Sequence, residues 1–233
     1  MLAVLVNSVA VVAGACLGVV FRKIIRPQVW ESILKVVGIV VIIFGISGVL
    51  KNMLYIDENN ALQSKHEILL LVILALGTFL GEILKLDYRT ERLGERLDSR
   101  IIQGKFSEGL ISATMIFCIG AMAIIGSVEA GLGDPTTIYL KAAIDGITAI
   151  ILASTLGYGV AFAAIPLFLY QGLITFLTAQ IGTFLAPAFI EGFSLIGYAI
   201  LVAIGINFLF KSIKPINMTP ALLLYIIYYL LFL

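Results

Sequence analysis

Asp145 is the residue in this chain best placed to do chemistry. It lies inside an apolar run that begins near Ile138, about 10 Å along a helix that rises ~1.5 Å per residue. A carboxylate at membrane depth costs roughly 2.5–3.5 kcal/mol on an insertion scale, and such groups face a partner or a water-filled cavity. Thr148 and Thr155 follow in the same run and are expected to share its face. Gly146 adjoins it and allows close approach or bending. A carboxylate flanked by hydroxyls suits a bound cation or a carried proton. Lys141, one turn earlier, offers the alternative of an ion pair that snorkels to the outer interface.

Other polar residues fall inside apolar runs: Asn7 and Ser8, Ser47, Gln171 and Gln180, and Asn207. Amides coordinate ions through their carbonyl oxygens and also cross-link helices, where each bond is worth only ~0.6 kcal/mol on average. Asn7, Gln171, Asn207 and Ser47 join Asp145, Thr148 and Thr155 as candidate substrate or ion-binding residues. Pro166 and Gly172 bracket Phe168 to Gln171, and a proline within a span frees a carbonyl. Pro166, Gly146 and Gly172 are therefore the expected hinges. Glu129 and Asp134 read as interfacial, at the outer end of a run.

The elements that carry these residues follow from composition. The 233 residues are 61% hydrophobic and 12% charged, where a soluble domain carries roughly 25% charged residues. Such a chain cannot cover a water-facing surface. Lipid as solvent removes the difficulty, and a span needs about 20 apolar residues. Apolar runs predict eight spans, at about 2–20, 34–54, 67–86, 109–130, 138–156, 160–185, 192–211 and 218–233. The fold class is thus all-α, a polytopic transmembrane helix bundle read as one domain over 1–233. The division between the fifth and sixth spans rests on Gly157-Tyr158-Gly159.

Basic residues set the orientation. With the N-terminus outside, 12 of the 15 lysines and arginines fall in inner loops, leaving Lys51, Lys65 and Lys141 outside. Both termini are then outside and the protein sits in the cell inner (plasma) membrane. The inner segment 87–105 places Leu86, Leu93, Leu97 and Ile101 at helical spacing among Arg92, Glu95, Arg96 and Arg100. That pattern fits an amphipathic connector on the cytoplasmic interface, or a solvated connector helix. Trp30 is a candidate interfacial anchor for the first inner loop.

Small-residue patterns recur at Gly14–Gly18, Gly77–Gly81 and Gly182–Ala186, each followed by a connector and another apolar run. They suggest a helical hairpin repeated in opposed orientation, with 1–86 and 160–233 as the related regions. Inverted repeats are common in secondary transporters, whose sites lie between them near the midplane.

Several chemistries have no residues to run on. There is no Walker motif, HExxH or CxxC, and His66 lies in a loop between Lys65 and Glu67. Cys16 and Cys118 sit singly in apolar runs and read as packing residues. The chain is not expected to be an enzyme or to need a cofactor, and no metal is assigned. A net charge of +1 suggests no nucleic-acid partner, which leaves membrane lipid and a small solute or cation, with a symmetric homodimer compatible.

Met1 to Asn7, Ile119 to Ser127, Asp145 to Ala149 with Ala153 to Gly157, and Pro166 with Tyr170-Gln171-Gly172 together resemble the prokaryotic membrane family catalogued as domain of unknown function 554, the YdfK/YqgA-like proteins. The resemblance covers essentially the whole chain. A more distant likeness, from Ala143-Ile144-Asp145 through Gly182 to Ala203-Ile204-Gly205-Ile206, is to one half of a manganese exporter of the lysine-exporter superfamily. That likeness implies inverted three-helix repeats with an aspartate in the leading helix. The first half of this chain has no aspartate at the matching place. Taken together, the expectation is a secondary transporter or exporter of an ion or small solute. The alternative is a passive channel, or a non-transporting scaffold acting through 87–105.

Overall fold

A backbone that lies in hydrocarbon can satisfy its own amides only as a helix or a closed barrel. Runs that are apolar on all sides therefore fold as helices whose outer faces stay apolar. A computed structural model describes residues 1–21, 27–89, 92, 105–118, 121–182 and 186–232. The helices are α1 (Leu2–Phe21), α2 (Pro27–Met53), α3 (Glu67–Leu84), α4 (Lys105–Cys118), α5 (Ala121–Gly131), α6 (Thr136–Leu156), α7 (Gly159–Phe162), α8 (Ala164–Gly182), α9 (Pro187–Phe210), α10 (Pro215–Met218) and α11 (Pro220–Phe232). Residues 86–89 are also helical. Most of the connector 87–105, residues 22–26 of the first inner loop and the side chain of Trp30 lie outside the described residues.

Two compact units make up the chain. The first holds Met1–Ile33 and Arg89–Phe184, and the second holds Leu34–Tyr88 and Leu185–Leu233. The first thus takes α1 with α4 to α8, and the second takes most of α2 with α3 and α9 to α11. This grouping cuts across the division into regions 1–86 and 160–233 expected from the small-residue patterns.

Among the described residues, seven helices are long and apolar enough to cross a membrane, and α4 with α5 makes an eighth if that pair, bent by 60°, is one span. Helix direction can be read within the first unit. In the first unit, Asn7 meets Asp145, Gly14 meets Gly146 and Ala149, and Gly18 meets Ile150. The partner numbers rise together, so α1 and α6 run parallel. The α5–α8 contacts agree: Thr175 meets Ser127, Thr178 and Ala179 meet Gly131, and Gly182 meets Leu132. These also rise together, so α5 and α8 run parallel as well.

The turn expected at Gly157 is present, with Gly157 at φ 78. At Gly159 a Cβ would stand 2.0 Å from the Phe106 carbonyl oxygen, so the α6–α7 corner closes against the start of α4 only with glycine there. The expected break at Pro166 is absent. Pro166 is the third residue of α8, where the first-turn amides have no intrahelical acceptor and a missing N–H costs little. α8 runs unbroken through Gly172, and α6 runs unbroken through Gly146. The bend lies at α4–α5 instead, and α7 meets α8 at the single turn residue Ala163.

Lys85 and Lys211 end α3 and α9 in the left-handed conformation, at φ 50 and φ 49. Their amide N–H groups reach back to Glu82 and Gly81, and to Asn207, satisfying terminal carbonyls, and their charge complements the helix C-terminus. One element is not helical. Leu54–Ile56 and Leu62–Ser64 pair as a short antiparallel hairpin between α2 and α3. Asp57 closes its turn by accepting from the amides of Asn59 at 2.9 Å and Ala61 at 2.8 Å. These bonds hold the Asp57 carboxyl below its usual range, the Ala61 amide being the largest cause.

Candidate functional site

Close helix packing brings the polar side chains of the first unit together. A Cβ on Gly14 would stand 2.2 Å from the Gly146 oxygen, and one on Gly18 would stand 2.2 Å from the Ile150 oxygen. Glycine at these two positions lets α1 press directly onto the backbone of α6. One turn or two toward the N-terminus, Asn7 is then held over Asp145. Its Nδ2 donates to Asp145 Oδ2 at 3.1 Å and to Gln171 Oε1 on α8 at 2.8 Å. The Lys141 ammonium pairs with the same Asp145 oxygen. Lys141 is only 4% exposed and Asp145 only 5%. The pair is therefore turned into the unit, and does not snorkel to an interface.

Asn7 and Gln171 are fully buried, and Asn7 Oδ1 and Gln171 Nε2 have no hydrogen-bond partner. A buried acceptor and a buried donor left over on adjacent amides are costly, at ~1–3 kcal/mol each. Such groups are retained where a site needs them.

The polar file continues toward the start of α6. Thr137, Lys141 and Asp145 recur every fourth residue and all are buried. Thr137 Oγ1 donates to Glu129 Oε2 on α5 at 2.5 Å, and Glu129 is only 1% exposed. Thr175 Oγ1 on α8 donates to the Ser127 carbonyl at 3.1 Å. Beyond Asp145 the same face is filled by Ala149 and Ala153. The inner side of α6 is thus polar in its first half and small and apolar in its second.

Of the residues singled out in the sequence, Asp145, Asn7 and Gln171 meet. Thr148 is half-buried on α6. Thr155 is exposed and bonds the Leu152 carbonyl at 2.9 Å. Ten residues at 3.6 per turn leave it nearly a quarter-turn off the Asp145 direction, so the expected shared face does not hold. Ser47 and Asn207 belong to the second unit, Ser47 exposed and Asn207 half-buried, and Gln180 on α8 is exposed. Gly146 serves α1 packing through its carbonyl oxygen, and Gly172 is buried with only the Met1 methyl at 3.6 Å from where a Cβ would be. Glu129, expected at the interface, is buried. The signal that marks its neighbours is the spacing 137, 141, 145; nothing in the sequence tells which way Glu129 turns.

The second unit has its own polar cluster, which the sequence did not suggest. Asn217, fully buried in α10, donates to Glu82 at 2.9 Å and to Asp87 at 3.1 Å, and accepts from the Asp87 amide at 2.8 Å. Lys214 pairs with Asp87 at 2.5 Å. A Cβ on Gly81 would stand 1.9 Å from the Asn217 carbonyl oxygen, so α3 and α10 meet backbone to backbone. The Lys214 bond, then the Asn217 bond, lower the Asp87 carboxyl to about 2. A lowered carboxylate stabilises the fold above its unfolded value, and that stability is lost as pH falls through the folded value. Wild type is therefore expected to lose melting temperature between about pH 4 and pH 2 more steeply than Asp87→Asn, as read by thermal unfolding in detergent.

Among the described residues, no three His, Cys, Asp or Glu side chains gather where they could hold a metal. A groove of about 380 Å³ lies between α1 and α8, lined by Leu5, Val9, Ile165 and Leu169 among others. Ser8 is its one polar residue, and Ser8 Oγ is bonded to the Val4 carbonyl at 3.1 Å. An open apolar groove on a spanning pair suits a lipid chain better than a polar solute.

Comparison with known proteins gives a consistent result. Residues 2–230 match the family model described as protein of unknown function (DUF554). The chain is 32% identical to the uncharacterized membrane protein YdfK of Bacillus subtilis, over 94% of this chain and 91% of that protein. It is 26% identical to the uncharacterized protein YqgA of Escherichia coli, over 94% of this chain and 92% of that protein. No solved structure matches significantly.

Proposed function

The chain belongs to the DUF554 family, and on that premise we propose that it is a secondary transporter of an ion or small solute across the prokaryotic inner membrane, with Asp145 at its binding site. The observation that carries this reading is the buried network of Lys141, Asp145, Asn7 and Gln171. A buried ion pair is weak as a source of stability, because desolvating two charges offsets their attraction. Membrane proteins keep such pairs where ions or substrates pass. Three helices contribute to this one, so movement of any helix opens it. Unpartnered atoms on both amides add a donor and an acceptor to which a solute can bind.

On this reading the α4–α5 pair is one span, so that eight crossings put both termini on one side, and the basic residues favour the outside. Hairpins in opposed orientation belong to the same reading, with alternating access arising from their relative rocking.

The test is flux into proteoliposomes over a panel of cations, carboxylates and amino acids. Wild type is expected to show counterflow for at least one class, and Asp145→Asn to lower it at least tenfold. Asp145→Glu keeps the charge and controls for folding. A scaffold working through 87–105 predicts no flux for any of the panel, and a channel predicts flux without counterflow. Either outcome removes the proposal.

A further inference from the structure

The hydrogen-bonding capacity left open in the buried network has a definite composition. Lys141 and Asn7 both engage Oδ2 of Asp145, so Oδ1 of that carboxylate serves neither. The ammonium of Lys141 has three N–H donors, and its bond to Asp145 uses one. Asn7 Oδ1 accepts nothing and Gln171 Nε2 donates nothing, although both residues are fully buried. The orientation of the two amides is not arbitrary. An ionised Asp145 requires the Asn7 NH2 group to face it, and the same NH2 group then requires the Gln171 oxygen. The unpartnered acceptor therefore sits on the amide that bonds the carboxylate, and the unpartnered donor on the amide beyond it.

The site thus offers one charge of each sign, one spare acceptor and one spare donor. A metal cation matches only Asp145 and Asn7 Oδ1. It displaces the Lys141 ammonium without giving it a counter-charge, and Gln171 Nε2 stays unpaired. An anion matches only Lys141 and Gln171 Nε2, and leaves Asp145 and Asn7 Oδ1 without partners. Depriving one member of a buried ion pair of its partner is strongly destabilising. A ligand that carries both signs leaves neither charge alone and uses both spare amide atoms.

We propose that this site takes a neutral amino-acid zwitterion, which inserts into the Lys141–Asp145 pair. The ligand ammonium replaces that of Lys141 on Asp145 and donates to Asn7 Oδ1. The ligand carboxylate accepts from the released Lys141 ammonium and from Gln171 Nε2. One buried ion pair becomes two, and the buried charge is zero before and after. A charged side chain on the ligand breaks that balance, so the class is the amino acids with uncharged side chains. In the arrangement seen here none of the four residues is more than 5% exposed. Asn7 ties α1 to both α6 and α8, so the ligand enters as α1 or α8 parts from α6.

This deepens the transport reading and rests on it for the passage of the ligand. Its test is binding to the full chain in lipid nanodiscs, read by titrated thermal melting, which needs no flux. The probes are the neutral α-amino acids, β-alanine and γ-aminobutyrate. For each that binds, the amine lacking the carboxylate and the acid lacking the amino group are the matched controls. At least one amino acid is expected to raise the melting temperature saturably. Its amine and its acid are each expected to bind at least tenfold more weakly, because each leaves buried polar groups unpaired. Gln171→Met keeps the volume, removes the spare donor and is expected to weaken the amino acid at least fivefold. In Lys141→Met the preference is expected to invert, with the amine binding more tightly than its parent; the wild-type series decides if that variant does not fold. If no amino acid shifts the melt, or if an amine or an acid matches its parent on wild type, the proposal is wrong. Asp145-dependent counterflow of a metal cation, with no amino acid bound, overturns the zwitterion and leaves transport standing. Amino-acid binding with this analogue pattern but without counterflow leaves the ligand class standing and removes transport.

Discussion

Replacing Lys141 by methionine is expected to destabilise the protein by roughly 3–5 kcal/mol, and replacing Asp145 by leucine in the same chain is expected to restore most of that loss. The two side chains share one contact, and both are turned inward at 4% and 5% exposure. Methionine fills the space of the lysine stem but leaves the carboxylate with only the Asn7 amide. Leucine removes that buried charge, and apolar substitutes of similar volume for a buried pair are often neutral or stabilising. Denaturant unfolding in detergent measures both variants. The double variant is the informative one. If the pair serves packing alone, that protein is folded and keeps its flux. If the pair is the site, it is folded and inert.

The second large effect concerns the seam that creates the site. Gly14→Val is expected to prevent folding or to lower the yield of folded protein at least tenfold. Even a single Cβ there meets the Gly146 oxygen at 2.2 Å and the Ala149 Cβ at 3.1 Å. The obstacle on α6 is backbone, which no rotamer change relieves, and overpacking by even one methylene commonly costs ~1–3 kcal/mol. Gly14→Ala is the milder test. If it folds, α1 must stand off α6 and the Asn7–Asp145 bond of 3.1 Å must lengthen or break. Gly172→Ala is the control, since the nearest atom to a Cβ there is the Met1 methyl at 3.6 Å. Size-exclusion profiles of the three variants, side by side, measure the difference.

Much of the scaffold was legible because lipid makes sequence simple. A run of apolar residues has one solution, and the runs near 2–20, 67–86 and 138–156 became α1, α3 and α6 within a few residues. Asn7, Asp145 and Gln171 stood out for the same reason: polar side chains in such runs require partners. Rotation about the helix axis was harder to read. Thr155 was placed with Asp145, but 3.6 residues per turn carry it to the exposed side. Lys141 and Glu129 lie near a helix end, where the sequence allows either outward snorkelling or inward burial. Packing decided for burial, because α5 and α6 meet closely enough for Thr137 to bond Glu129. Pro166 misled as a break signal because its effect depends on position within the helix, and the start of α8 falls only two residues before it. The Asn217 cluster was hidden because its members, Glu82, Asp87 and Lys214, sit at helix ends far apart in sequence.

On the transport reading, the Asp145 site opens to each side of the membrane in turn. Accessibility of Gln171 tests this most directly. In a chain carrying Cys16→Ser, Cys118→Ser and Gln171→Cys, a membrane-impermeant thiol reagent is applied to sealed vesicles from the outside or from the inside. The account predicts that the cysteine is modified from both sides, and that a transported solute shifts the ratio of the two rates. Modification from neither side, with the protein folded, would mean that the network is a closed structural core, and would contradict the account.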